Sequence, residues 1–315
     1  MLEVIPLSSD SLGVRSMSTI VRTSRISAHV DPGVALGPRR YNLKPTEEEL
    51  IALRVHRNAI MEASADVELS IVTHYHYDHH PFPDDSEMYR RCFLEKTVIA
   101  KDISKDIHQS GKKRGELFRK KLEGIASTIE WGDSRDFEME DLYIRFSPPV
   151  WHGDVGSRVG KVLMVYFESG NDSFLYGSDA QGLADPNALE WSIEVNPRLA
   201  VIDGYPTLFV GWRTSKKAFE KSKKNLKEFI ESTDVETIVM DHHIVRDLRY
   251  KEKISDLISF SEDLGKKLIT MAEFLGVENL FLEAWRKEIH NGERKVDLKK
   301  FFSELSLKSG TNYTL

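Results

Sequence analysis

A single cysteine, Cys92, stands in the 315 residues. That excludes an internal disulfide and any metal site built from several thiolates. Long apolar runs are also missing, and none approaches the roughly 20 residues that a membrane-spanning helix needs. The start, Met1-Leu-Glu-Val-Ile-Pro, has neither the basic nor the long apolar segment of a secretory signal. The expectation is a cytoplasmic protein with no membrane association. Positive charge is not in excess: 44 Lys and Arg face 50 Asp and Glu, a formal charge of −6. This balance argues against indiscriminate nucleic-acid binding and leaves room for a local basic groove. Short repeats and low-complexity linkers are absent. With 40% hydrophobic and 30% charged residues, the composition suits a globular chain with a sizeable core.

What the chain does have is clustered histidine. Of 11 His, four fall within Thr73–His80 and two are adjacent at His242-His243. The surrounding pattern is α/β. Leu2–Leu7, Thr19–Arg22 and Ile26–Val30 carry β-branched residues and read as strands, the last stopped by Asp31-Pro32-Gly33. Thr46-Glu-Glu-Glu49 has capping-box spacing and opens a helix whose face is predicted to carry Leu50, Leu53, Ile60 and Met61. Val67, Leu69 and Ile71 alternate as a half-buried strand leading into the histidine cluster.

Further on, Lys101–Gly124 reads as polar helix weakened by Gly111 and Gly115. Leu142, Ile144 and Phe146 form a strand just before Trp151-His152-Gly153. Val162–Glu168 and Phe174–Gly177 form a hairpin that ends at Ser178-Asp179. Leu199–Asp203 and Glu236–Met240 are further strands, with a Lys-rich helix, Thr214–Glu231, between them. The rest, from Arg246, reads as mainly helical, with a second capping box at Thr270–Glu273. Each polar cluster follows a strand, where a sheet can fix loop bases while the loops stay accessible.

Thr73-His74-Tyr75-His76-Tyr77-Asp78-His79 has the form His-x-His-x-Asp-His. Metal ligands are neutral imidazole nitrogens or carboxylate oxygens that converge at about 2 Å from the ion. A turn after a strand can aim His74 and His76 at one metal, and Asp78 and His79 at a second. Isolated His-x-His pairs occur on ordinary loops. The added Asp-His and the apolar strand leading in point to metal binding.

This motif resembles that of the metallo-β-lactamase superfamily, and within it a mainly archaeal group of predicted metal-dependent hydrolases. The resemblance extends in order over residues 26–243, through Asp31, the histidine cluster, His152-Gly153, Tyr176-Gly-Ser-Asp179 and Asp241-His242-His243. It implies a four-layer αββα sandwich with additional C-terminal helices. Residues 1–315 would then be one domain, with 246–315 a mainly helical part packed on it. It implies that His74, His76 and His152 hold one metal, that Asp78, His79 and a last histidine hold a second, and that Asp179 bridges the two. Asp78 and Asp31 are the candidate catalytic carboxylates, Asp31 by orienting a ligand histidine. The last ligand is His242 or His243. In the ribonuclease Z branch the final histidine precedes an Arg by four residues, and Arg246 stands so to His242. His80 matches no motif position and is expected to be a loop residue.

The implied cofactor is Zn²⁺, two per chain, with Fe or Mn also suited to an all His/Asp donor set. The implied reaction is hydrolysis of an ester, lactone or phosphoester of a small molecule. The alternatives are a phosphodiesterase or nuclease acting on RNA or DNA, a non-hydrolytic metal-binding protein, and a di-iron oxidoreductase. Arg15, Arg158 and Arg246 are candidates for phosphate binding. Two stretches, Lys101–Lys121 and Arg213–Lys227, are basic enough to suit nucleic acid, but such runs are more often solvated helix faces. Oligomeric state is not readable.

Overall fold

The β-branched segments at the start of the chain pair with one another before any α-helix intervenes. The computed structural model describes residues Met1–Leu315. In it β1 (Glu3–Pro6), β2 (Thr19–Arg22) and β3 (Ser27–Val30) run antiparallel, with Pro6 opposite Thr19 and Thr19 opposite Val30. β4 (Leu69–Val72), β5 (Thr97–Ala100) and β6 (Thr128–Trp131) continue this sheet in parallel, in chain order. Parallel pairing needs crossovers. They are α1 (Glu47–Ala63), α2 (Ser86–Phe93) and α3 (Gln109–Leu122).

The Thr46 capping box is formed as the sequence predicts. Of the predicted face of α1, Ile60 and Met61 are buried and Leu53 packs against the core, but Leu50 is 44% exposed. The buried stripe also takes in Glu49, Ala52, Val55, His56 and Ala59, and Glu49 is drawn inward to Arg286 (Oε1–Nη2 2.7 Å). β4 is buried on both faces rather than one, as parallel strands covered on both sides are. Its Ser70 hydroxyl donates to the Cys92 carbonyl of α2 at 2.7 Å.

Lys101–His108 is loop, and α3 then runs unbroken through both glycines. A Cβ at Gly115 would stand 2.5 Å from Ile103 Cγ2 and 2.7 Å from Tyr75 Cε2. Glycine there lets the helix lie directly on the histidine loop.

The second sheet is built from β7 (Asp136–Met139), β8 (Leu142–Phe146), β11 (Val165–Ser169), β12 (Asp172–Tyr176), β13 (Leu199–Asp203), β14 (Thr237–Asp241) and β15 (Lys267–Ile269). Between β8 and β11 a two-residue ladder, β9 (Val150–Trp151) with β10 (Lys161–Val162), presents His152. β7, β8, β11 and β12 pair antiparallel in the order β7-β8-β11-β12, and β12 to β15 are parallel.

Alternation along these strands makes the layers. Phe167, Phe174, Tyr176, Val201 and Val239 join the core shared with the first sheet. Their neighbours Tyr166, Leu175, Ala200, Ile202 and Ile238 join a second core under α4 (Pro186–Val195) and α5 (Lys216–Ser232). Sheet lies on sheet, with helices outside both.

The C-terminal part contains α6 (Tyr250–Lys253), α7 (Ser255–Asp263), α8 (Met271–Phe274), α9 (Leu282–His290) and α10 (Leu298–Ser309). It is not purely helical: β15 adds an edge strand, Thr237 opposite Lys267, too short at three residues to show a period. Trp285, Phe301 and Phe302 pack against the inter-sheet core. No helix is long and apolar enough to cross a membrane.

Candidate metal centre

Strand ends converge at one edge of the sandwich. Asp31 follows β3, the Thr73–His80 loop follows β4, His152 follows β9 and Asp179 follows β12; Asp203 ends β13 and Asp241 ends β14. The two sheets are tied there by a 2.7 Å hydrogen bond between the Thr73 and Ser178 hydroxyls, and by the Leu163 amide donating to the Thr73 carbonyl at 3.1 Å.

Asp179 lies at the centre, fully buried. Its Oδ2 faces His152 Nε2 at 2.8 Å, His74 Nε2 at 3.5 Å and His76 Nδ1 at 3.9 Å. Its Oδ1 faces His79 Nε2 at 3.0 Å and His242 Nε2 at 3.7 Å. Asp78 Oδ2 closes the second group, 3.6 Å from His242 Nε2. The seven residues expected as ligands thus come together, His74, His76 and His152 about Asp179 and His79 and His242 about Asp78, with His243 also grouped with Asp179 and His242.

The atoms at the centre are buried and unsatisfied. His74 Nε2, His79 Nε2, both ring nitrogens of His152 and both oxygens of Asp179 have no hydrogen-bond partner, although several lie within 3.0 Å of one another. The approaches lack hydrogen-bond geometry. Buried polar groups are otherwise almost always paired, and imidazole and carboxylate lone pairs converging on a common point are what a divalent cation takes. The donor set fits a metal.

A second ring of carboxylates fixes the histidines from behind. Asp31 Oδ2 meets His79 Nδ1 at 2.8 Å and also accepts from the Thr73 and Tyr176 hydroxyls, at 2.6 and 2.9 Å. Asp31 is fully buried behind His79, so it positions that ring and does not reach the cavity. Asp10 does the same for His242: Oδ2 meets Nδ1 at 2.7 Å, and Oδ1 accepts from Arg246 Nε at 2.6 Å. Asp203 holds His243, with Oδ2 2.7 Å from Nδ1 and Oδ1 accepting from the His243 amide at 2.9 Å.

Sequence reasoning assigned no role to Asp10 or Asp203. Asp203 left the signal of an acid ending a strand; Asp10, in a Ser-rich turn, left none.

The adjacent pair His242-His243 is not extended: His242 adopts φ +62°, and a nitrogen of each ring lies within 4.8 Å of an Asp179 oxygen. His242 is the one that meets Asp78 and Asp179. His80 lies on the loop, as expected, and is buried there against Tyr75, Tyr77 and Phe118; burial lowers its pKa to about 3.

Charge in the centre is set by crowding. Burial alone would raise the Asp179 carboxyl, but His79, His74, His242 and His152 outweigh it and hold it well below the usual carboxylate range. Asp78 is likewise lowered, by His79, His242 and His76. Burial pushes His74 and His76 down. Burial and Asp179 push Asp203 up, while burial and Arg246 push His243 down, so the uncharged form of that pair is favoured.

The centre opens into a cavity of about 700 Å³ lined by His76, Asp78, His152, His243 and Arg114. A second cavity of about 550 Å³ adjoins it across Arg15, Phe209, Arg213 and Arg246. Two of the arginines singled out for phosphate are already engaged. Arg15 forms a forked pair with Glu283, 2.6 Å at both contacts, and Arg246 is held by Asp10. Arg158 lines a separate cleft beside His108 and Trp151. Of the basic helices, α5 uses Lys223 and Lys227 to hold Asp256 of α7, at 3.2 and 2.9 Å.

No protein-family model matches the chain. The UPF0282 protein of Pyrococcus furiosus is 39% identical over 317 residues, 96% of this chain and 99% of that one. The chain belongs to the UPF0282 family. The UPF0282 protein of Thermococcus gammatolerans is 42% identical over 300 residues, covering 93% of this chain and 96% of its own. That of Methanocaldococcus jannaschii is 38% identical over 307 residues, covering 96% and 100%.

Among solved structures, yeast PDE1 superposes with a TM-score of 0.52 at 13% identity, over 85% of this UPF0282 chain and 97% of that chain. CmlA, a diiron β-hydroxylase from Streptomyces venezuelae, gives 0.52 at 13% identity, over 85% and 53%. The likeness is one of fold. The fold is that of the metallo-β-lactamase superfamily, the sandwich that the motifs implied.

Proposed function

We propose that this UPF0282 protein is a metal-dependent hydrolase with a dinuclear centre, acting on an ester, lactone or phosphoester. The observation that carries the reading is Asp179, whose two buried oxygens face two histidine sets without a hydrogen bond to either. His74, His76 and His152 would hold one metal with Asp179. Asp78, His79 and His242 would hold the other. Zinc suits these donors, as do iron and manganese. When bound, such metals polarise the scissile group and lower the pKa of a coordinated water toward neutrality.

The chain's own residues do the rest. Asp31 and Asp10 accept a proton-bearing nitrogen from His79 and His242, which leaves the facing nitrogens bare for coordination. Asp203 engages His243 Nδ1, so Nε2 of that ring is left to the substrate side of the cavity. The site is set between the sheet ends, which keeps bulk water from the buried carboxylate.

Elemental analysis of purified protein tests the reading, together with His76→Ala and Asp179→Asn assayed on chromogenic esters, lactones and phosphodiesters. Two transition metals per chain, with metal and turnover lost in both variants, is the expected result. Wild-type metal content in either variant would sink it. Iron with redox-active visible bands would turn the reading to a di-iron oxidoreductase. Salt-sensitive cleavage of single-stranded RNA would turn it to a nuclease.

A further inference from the structure

The cavity beside the metal centre is rimmed by five arginines, three of which no carboxylate neutralises. Arg15 and Arg246 have carboxylate partners; Arg39, Arg40 and Arg213 on the same rim have none. Arg39 donates only to the Asn42 amide oxygen at 3.0 Å. Arg40 donates through Nη2 to Tyr41 Oη and the Arg246 carbonyl, at 3.2 and 2.9 Å, while its buried Nε has no partner. Arg213 touches only rings. Its guanidinium lies 4.4 Å from the Trp212 centroid and 5.1 Å from that of Phe209.

In a chain where acids outnumber bases by six, three uncompensated guanidiniums on one rim are not a matter of composition. Like charges held together without a counter-ion repel, and the forked donors of Arg match phosphate.

The rim also carries exposed aromatic faces. Trp212 is 71% exposed and Tyr41 48%. Each lies under an arginine, Arg213 and Arg40. Both sit on tight turns. Arg40 and Leu43 exchange backbone hydrogen bonds of 3.0 and 2.8 Å, and the Trp212, Arg213 and Thr214 amides all donate to the Phe209 carbonyl. Tyr41 takes φ of +52°, a conformation costly for an aromatic residue and common at ligand clamps, and Asn42 beside it takes +63°, which asparagine tolerates. Large apolar rings left to solvent on hydrogen-bonded turns, the one at Tyr41 strained as well, suit stacking on a flat ligand. The volume, about 550 Å³, is that of a small-molecule site rather than a polymer groove.

We propose that this annex seats a non-reacting phosphate on a substrate that also carries a planar ring, the nucleotide class of small molecule. Arg39, Arg40 and Arg213 take the phosphate. Trp212 or Tyr41 takes the ring. The remainder of the ligand reaches His76, Asp78 and His152 through the shared wall of the two cavities. Which bond is then broken rests on the hydrolase reading; the seating does not.

The test titrates AMP, adenosine and inorganic phosphate into full-length protein stripped of metal by chelation, read by calorimetry and tryptophan fluorescence. AMP should bind at least about tenfold tighter than adenosine or phosphate, and more weakly as salt rises. Arg213→Gln and Arg40→Gln should each lose about tenfold. Arg213→Lys, which keeps the charge but not the fork or the stacking, should fall between. Arg213 is exposed, so its variants are expected to fold. Absence of saturable AMP binding, equal affinity for AMP and adenosine, or wild-type affinity in both Gln variants would overturn the proposal. Since the protein is metal-free throughout, failure here leaves the metal reading standing, and failed metal retention leaves this result unaffected.

Discussion

At the scale of single residues, the centre is governed by carboxylates that touch histidines. Asp31 shows this most clearly, because it sits at φ +49° and accepts from Thr73, Tyr176 and the His79 ring. Asn tolerates that backbone conformation, so Asp31→Asn removes the charge while sparing the turn. It is expected to weaken metal binding roughly 10–100-fold, measured by competition with a chromogenic chelator; unchanged affinity would deny Asp31 its orienting role.

A second prediction concerns acid. His29 is buried between the Ser18 and Ser64 hydroxyls, 2.7 Å from each, and burial together with Lys96 lowers its pKa to about 3. The unfolded chain, with a pKa near 6.5, then binds the proton that the folded chain refuses. Stability is therefore full above pH 6.5 and is lost as pH falls toward 3. Thermal unfolding of the metal-free protein should show a Tm that drops through this range. In His29→Gln the slope should be shallower.

Elements inherit their orientation from a few polar ties. Arg286 of α9 is fully buried, forks onto Glu49 of α1 at 2.8 and 2.7 Å, and donates to the Gly37 and Leu43 carbonyls at 2.8 and 3.2 Å. One side chain thus fixes the face of α1 and both ends of the turn that carries Arg39 and Arg40. Arg286→Ala strands the Glu49 charge and is expected to cost ~3–5 kcal/mol in denaturant unfolding. Glu49→Gln with Arg286→Met should recover most of that loss.

Gly115→Val should act differently, pushing α3 away from Tyr75 and the histidine loop. Metal content should fall more than stability does.

The capping boxes at Thr46 and Thr270, the hairpin at Gly170-Asn171 and β2 were legible because their signals are local. α2, β5, β6, β7 and β15 went unread because they are short; α4, ten residues long, went unread although Asp185-Pro186 is a helix-start signal. Amphipathic reading of α1 placed Ile60 and Met61 correctly but missed buried Glu49, because its partner Arg286 lies 237 residues away and leaves no local signal.

For the molecule as a whole, the early loop and the C-terminal helices are one construction. Asp241 accepts from the amides of Ser11 and Met271, at 3.1 and 2.9 Å, and the Ser11 hydroxyl accepts from the Ala272 amide at 2.9 Å. Leu280 donates to the Ser11 carbonyl at 2.7 Å, and Tyr313 Oη to the Leu7 carbonyl at 2.7 Å. Asp10, which orients His242, sits within that loop. We therefore expect residues 246–315 and the remainder to unfold in one calorimetric transition, and a chain ending at residue 270 to bind less metal even where it stays soluble. Two separate transitions would show that the parts are independent.

The sequence by itself determined the donor types and the local set. His74, His76, Asp78 and His79 stand within six residues on one loop, and the lone cysteine leaves only imidazole and carboxylate for a metal. Order along the chain placed Asp31, His152, Asp179 and the final histidines. Tertiary structure alone decided which oxygen of Asp179 faces which histidines, which of the last two rings meets Asp78, and where the free arginines gather. Those choices depend on partners far apart in the chain, such as Asp10 and His242, 232 residues distant. Local spacing carries no record of such pairs, because they are set by how the two sheets and the helical end pack.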